Sequence, residues 1–344
     1  MMKIAIFTDF YIEDVPIATS IRKLKKEYEK EGHKVYVMCA SQNKDVDVEE
    51  GVFTFTSANI KQYPHFRLSL SPFLSAKKIV RGLKIDVIHN FGVASMGAAA
   101  ATCKKELKIP SVATITDIMP KTAQSGMGRR VGKFMADMAK KYSKWLYGFF
   151  DEITYPSVYG KELMEGIVEG GSVIPLPVGD NEEVKNSNRY VGYVGDDGRT
   201  RDFSPLLDNV ESIKNGLKKS VKIYSIKKNG NSEGEQISYT ERWSAYGKLH
   251  TYVDVPNYSA YNSYALEFLK TGKTCICPEN SPMKEIVERV NKDLIYEKKY
   301  IGDSIRAGIE GKEKAKEKTK QILEEIESSP QEYLSIYKSL LNKS

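Results

Sequence analysis

Apolar residues along this chain fall in short dense runs separated by stretches of helical spacing, the pattern of buried strands alternating with amphipathic helices. Lys3–Thr8 is a run of strand length, Ile17–Lys30 reads as a helix with a basic outer face that Gly32 ends, and Lys34–Cys39 is the next strand. Further strands are read at Gly51–Ser57, Asp86–His89, Pro110–Ile115, Glu152–Tyr155 and Ser172–Pro175. Helices are read at Pro72–Leu83, Gly92–Leu107, Arg129–Phe150 and Tyr159–Glu169. After the polar stretch Gly179–Ser187, a linker, the logic repeats. Strands are expected at Tyr190–Val194, Lys222–Ile226, Thr251–Val255 and Thr274–Cys277, and helices at Phe203–Lys218, Ile305–Leu323 and Gln331–Leu341. This alternation predicts an α/β protein with doubly wound parallel sheets.

One stretch, Tyr258–Glu285, condenses the pattern: loop, helix, glycine stop, buried strand, loop, helix. Ala265, Leu266, Phe268 and Leu269 make its helix apolar, yet Glu267 sits among them. A carboxylate there requires a partner.

The length of 344 residues suits two α/β domains. A net charge of +7 favours anionic partners such as phosphates, nucleotides or an anionic membrane face. Cys39, Cys103, Cys275 and Cys277 lack disulfide or zinc spacing and read as small buried hydrophobes of a reducing compartment. The N-terminal apolar run is too short for a signal peptide. In Arg129–Phe150, Val131, Phe134, Met135, Met138, Tyr142, Trp145, Leu146 and Phe149 share one arc, and Arg129, Arg130, Lys133, Lys140, Lys141 and Lys144 surround it. The arc fits a core helix with a solvated basic face or a helix lying in an anionic membrane interface.

Ligands of open α/β sheets bind beyond the carboxyl ends of strands. That rule nominates the loops at Asp9–Pro16, His89–Gly92, Thr116–Asp117, Gly195–Arg201, Ser225–Lys228 and Tyr258–Glu267. No Gly-x-Gly-x-x-Gly or Walker motif follows the first strand of either half, which disfavours dinucleotide oxidoreductases and P-loop enzymes. In Gly195–Arg201, glycines allow close backbone approach, and Arg199 and Arg201 could clamp a diphosphate or remain solvated in a turn.

The blocks MKIAIFTDFY, ATSIRKLKKEYEKEGHKVYV, KIDVIHN, KIPSVATITDIMP, DEITYPS, YVGDDGRTRDFSPLL and ALEFLKTGKTCICPENSPMKEIV, in this order, resemble the retaining GT-B glycosyltransferases of family four. Asn59–Leu70 with Asp86–His89 is similar to the branch that glycosylates diacylglycerol-type lipids. The resemblance implies two Rossmann-like domains facing a cleft. Residues 1–180 would form the acceptor side, 181–328 the nucleotide-sugar side, and 329–344 a helix returning to the first domain. It further implies a nucleotide-sugar donor, a lipid or lipid-linked acceptor, no cofactor or metal, and a peripheral place on the cytoplasmic membrane face. No nucleic-acid partner is expected, because only the net charge favours one and a recognition motif is lacking. Arg129, Arg130, Lys133, Lys140, Lys141, Lys144 and Trp145 would then dock the membrane.

Residue by residue, the implied site departs from the family pattern. Its paired glutamates fall on Ser259 and Glu267; the second, on the donor ribose, is kept. The arginine after Gly195 is Asp196, and the lysine on the diphosphate is Arg201. The active-site histidine is Thr116, followed by Asp117. The first-loop glycines are lost around Pro16, while Ala18, Thr19 and Ser20 match. The implied catalytic set is Asp117, Arg199 and Arg201, with Gly195, Ser259 and Glu267 on the donor and Thr19, Ser20, His89 and Thr116 on the acceptor side. The ribose, rather than another side chain, is the expected partner of Glu267. A catalytically degenerate GT-B protein that binds or scaffolds is the alternative.

Overall fold

The computed structural model describes residues 1–11, 15–41, 50–60, 63–124, 129–180, 182–196, 201–226, 234–256, 258–298 and 300–343. The first half runs β1 (Lys3–Thr8), α1 (Pro16–Lys30), β2 (Lys34–Ser41), β3 (Val52–Ile60), β4 (Tyr63–Ser69), α2 (Phe73–Leu83), β5 (Val87–Asn90) and α3 (Ser95–Leu107). It continues through β6 (Ser111–Thr114), α4 (Met119–Gln124), α5 (Arg129–Tyr147), β7 (Glu152–Tyr155), α6 (Val158–Met164) and β8 (Ser172–Val173). The second half runs β9 (Tyr190–Gly195), α7 (Ser204–Leu207), α8 (Val210–Leu217), β10 (Ser220–Ser225), β11 (Glu235–Gln236), α9 (Arg242–Lys248) and β12 (Leu249–Val253). It ends with α10 (Ser263–Leu269), β13 (Thr274–Pro278), α11 (Lys284–Val290), β14 (Ile295–Tyr296), α12 (Ile301–Glu310), α13 (Lys312–Glu327) and α14 (Ser329–Lys343).

The strands build two sheets, in the orders β4-β3-β2-β1-β5-β6-β7-β8 and β11-β10-β9-β12-β13-β14. Pairing is parallel except for β3 with β4. β1 lies inside the first sheet, Ile4 opposite both Val35 and Val87, and Ile4 to Phe7 are fully buried. A strand covered by helices on both faces can be continuously apolar, which is why KIAIFT shows no alternation.

Several elements depart from the expectation. Ile305–Leu323 is divided at Gly311 between α12 and α13, and the unassigned residues Met119–Gln124 form α4. Phe203–Lys218 is broken into α7 and α8. At the break, Asn209 donates its side-chain N–H to the Pro205 carbonyl. The stretch Ala58–Leu70, read without an element, contributes β4, which covers the outer edge of β3. Residues 242–248, also unassigned, form α9.

After α13 the chain crosses back. Tyr333, Leu334, Tyr337 and Leu340 of α14 are buried against Ile4, Ile6, Tyr28 and Val35 of the first half. Residues from the far end of the sequence thereby complete the core of the first domain.

Candidate active site

A cleft lies between the two domains, and the segments that follow β6 and β12 meet across it. The loop 258–262 bridges it. Ser259 pairs through its backbone with Asp117 in an antiparallel bridge. The Ser157 hydroxyl donates to the Ala260 carbonyl at 2.7 Å, and Tyr261 and Ser20 share a hydroxyl–hydroxyl bond of 3.0 Å. A β-carbon on Gly160 would stand 2.5 Å from that of Ala260, so only glycine allows this approach.

Glu267 is where the structure corrects the sequence reading most. Its partner is a side chain, Arg242, which donates Nε to Oε2 at 2.8 Å and Nη2 to Oε1 at 3.3 Å. Tyr246 donates to Oε2 at 3.2 Å and Tyr239 to Oε1 at 3.4 Å. A carboxylate has about four lone-pair sites, and these four donors fill them. The side chain is 1% exposed, so no ribose reaches it in this arrangement. The Arg242 guanidinium lies 3.8 Å from the Tyr239 ring centroid. Burial acts to lower its pKa, but Glu267 outweighs that and holds it above its ordinary value. α9 is tied at its other end too: buried Lys273 donates to the carbonyls of Tyr246, Gly247 and Leu249, where a helix C-terminus favours a cation. Sequence reasoning missed this helix. Its signal is Tyr239, Arg242, Trp243 and Tyr246, spaced for one helical face.

Arg201 is also occupied. Asp196 takes it through two bonds, Nε to Oδ1 at 2.8 Å and Nη2 to Oδ2 at 3.0 Å. Burial acts to lower the guanidinium's pKa, and Asp196 outweighs it, so Arg201 stays charged. Its Nη1 is buried with no hydrogen-bond partner. Gly195 precedes this pair at φ +157°, with the Tyr193 hydroxyl where a β-carbon would be. Arg199 lies outside the described residues.

A second group missed from sequence is Asp254, just past β12. Its Oδ1 accepts from Asn262 at 2.7 Å and its Oδ2 from the Ser281 hydroxyl. Asn262 in turn caps α10 by accepting from the Ala265 N–H. Burial pushes the Asp254 carboxyl up to about 6.

On the first domain, Asp117 accepts from the Thr122 hydroxyl at 3.2 Å. Burial raises its pKa, and that bond opposes the rise. Asp117 and Thr116 are half-buried, at the cleft end of β6. Thr19 lies on the first turn of α1, its hydroxyl donating to the Pro16 carbonyl at 2.7 Å. A β-carbon on Gly179 would meet Thr19 at 3.2 Å and Glu267 Oε1 at 3.9 Å, so α1, the linker and α10 converge here. His89 does not belong to the acceptor side. It is fully buried, bonded through Nδ1 to Tyr337 and through Nε2 to Thr114, with Phe91 and Tyr333 against its ring. Burial pushes its imidazole down to about 3, so it stays neutral and fastens α14.

α5 packs on the first domain through small residues. Gly132, Ala136, Ala139, Ser143 and Leu146 are buried, at alternating spacings of four and three. The large apolar side chains face out: Val131, Phe134, Met135, Met138 and Trp145 are exposed, beside exposed Arg130, Lys133, Lys140, Lys141 and Lys144. The side chain of Arg129 lies outside the description. Tyr142 and Phe149 are half-buried, both in ring contact with Trp145. Of the predicted arc, only Leu146 is fully inside.

Two Rossmann-like domains facing a cleft, with a final helix returning to the first, define the GT-B class of fold. A sucrose-phosphate synthase from Thermosynechococcus elongatus has the same architecture: it matches over 100% of both chains with a TM-score of 0.72 at 13% identity. Residues 17–178, in the first domain, match the model of Glycosyltransferase Family 4. It is 34% identical over 116 residues to an alpha-monoglucosyldiacylglycerol synthase from Streptococcus pneumoniae, a match covering 33% of this chain and 26% of that protein. It is 31% identical over 151 residues to a protein of the same name from Acholeplasma laidlawii, covering 43% of this chain and 36% of that one. The matches thus span only about a quarter to a third of the length of these relatives. Among the described residues, no group of three or more His, Cys, Asp or Glu could hold a metal ion. No described helix is long and apolar enough to cross a membrane.

Proposed function

We propose that the protein transfers a sugar, with retention, from a nucleotide-sugar donor to a lipid acceptor, working on the cytoplasmic membrane surface. The observation that carries this reading is α5. A helix that turns Phe134, Met138 and Trp145 outward among lysines, on the acceptor-side domain, suits an enzyme that lies on anionic lipid. The names of the two synthases point to the same acceptor class.

In the mechanism, Arg201, with Arg199, stabilises the leaving diphosphate as charge develops. Glu267 holds the donor ribose, and Asp117 accepts a hydrogen bond from the attacking hydroxyl. Two contacts must yield first. Asp196 has to release Arg201, and Tyr239, the longest of the four donors to Glu267, has to give way to the ribose. The donor thus competes with an internal anion and an internal hydroxyl.

The same two contacts favour a second reading, a GT-B protein that binds a partner without turnover, because both donor-binding groups are already neutralised. Incubation with a panel of radiolabelled nucleotide sugars and diacylglycerol vesicles separates the two. Sugar transfer supports the enzyme, and loss of transfer in Arg201→Ala supports its site. No transfer, no hydrolysis and no nucleotide binding by calorimetry would leave the binding reading.

A further inference from the structure

Between α2, α3 and α5 lies an open groove of about 470 Å³. Phe73, Val93, Ala94, Ala98, Met119 and Tyr142 line it. Its few polar groups are satisfied from within. The Ser95 hydroxyl accepts from the Ser69 N–H at 2.7 Å, the Ser69 hydroxyl donates to the Thr56 carbonyl, and the Tyr142 hydroxyl donates to the Ala94 carbonyl. A polar ligand finds no partner there, whereas apolar surface gains by leaving water.

Next in sequence to the lining residues Ser69 and Phe73, Leu70 and Leu74 are exposed, 64% and 67%. Tyr142 continues into the Trp145 ring at 5.6 Å, and so into the outward apolar face of α5. The Val93 and Ala94 N–H groups are held by Asp9 Oδ2, and Met119 stands two residues from Asp117. The groove therefore lies between the outward apolar face of α5, through Tyr142, and the segment that carries Asp117, through Met119.

We propose that this groove holds one acyl chain of the acceptor lipid, drawn partly out of the bilayer so that the headgroup hydroxyl arrives beside Asp117. The inference rests on the lipid-acceptor reading and names how the lipid is gripped. It assigns Phe73, Ala98, Met119 and Tyr142 to substrate binding and makes chain length and unsaturation determinants of specificity.

The test is a diacylglycerol with a diazirine midway along one chain, in vesicles of phosphatidylglycerol and phosphatidylcholine, irradiated with the full chain and mapped by mass spectrometry. The expected label falls on peptides containing Phe73, Ala98 or Met119. Ala98→Trp, which fills the groove, and Phe73→Asp, at its half-exposed rim, should each cut that label about tenfold, the loss expected when two buried methylenes return to water. Label on the α5 surface should persist. Label confined to the outward residues Phe134, Met138 and Trp145 of α5 or to the second domain, or unchanged in both variants, would overturn the proposal. Groove label without turnover in a separate transfer assay supports the groove and removes the transferase; turnover without groove label does the reverse.

Discussion

Glu267 and Arg242 form a buried ion pair whose side chains are 1% and 7% exposed. Breaking such a pair strands a charge, which costs about 3–5 kcal/mol. Arg242→Met should lower the unfolding free energy by about that amount, and adding Glu267→Gln should restore much of it, as read from a urea double-mutant cycle. Asp196→Asn should act oppositely on function. With Arg201 freed, nucleoside diphosphate binding should tighten by about tenfold, equal to 1.4 kcal/mol, and the gain should vanish in Arg201→Ala, both by calorimetry. Asp254 adds a pH dependence. Its carboxyl goes from an ordinary 3.8 to about 6 on folding, so between those values the folded chain keeps a proton that the unfolded chain releases. Stability therefore falls as pH rises from about 4 to 6, by about 3 kcal/mol from this group. Asp254→Asn mimics the protonated form, so its stability relative to the native protein should rise by that much from pH 4 to 7 in urea titrations. At this scale the sequence made legible that Glu267 needs a partner, since a carboxylate in an apolar helix cannot stand alone. It could not say which partner. Arg242 lies 25 residues away on a helix of two turns, and only tertiary packing joins them.

The elements were legible where apolar runs are long. β1, β2, β7, β9 and β13 lie where short runs of Val, Ile, Tyr and Cys predicted them, because strands buried on both faces have a strong compositional signature. The orientation of α5 was not legible. Periodicity reveals an arc of large apolar residues, and such an arc ordinarily faces the core. Here a second arc, of Gly, Ala and Ser, lets the helix approach closely and wins the interior. The two arcs make opposite predictions. Ala139→Leu should overpack the inner face and cost about 1–3 kcal/mol, whereas Phe134→Ala should stay within about 0.5 kcal/mol, by thermal unfolding.

At the scale of the molecule, the outward face of α5 gives the first domain a polarised surface. Changing Lys140, Lys141 and Lys144 together to Gln should weaken co-sedimentation with phosphatidylglycerol vesicles by about 3 kcal/mol, roughly a hundredfold, and high salt should shrink the difference. The two-domain plan was legible because strand and helix alternate twice around a polar linker. The clasp between the domains was not, because it depends on one loop threading Ala260 against Gly160.

The return of α14 bears on how the chain is made. Domains ordinarily fold as they leave the ribosome, the earlier ones first. Here the earlier domain lacks Tyr333, Leu334, Tyr337 and Leu340 until the second domain has been synthesised, and His89 has no Tyr337 to bond. The nascent first domain must wait with part of its apolar interior open while the second is built. Its last step of folding is thus a closure in which residues about 250 positions apart in sequence meet, the His89–Tyr337 contact spanning 248.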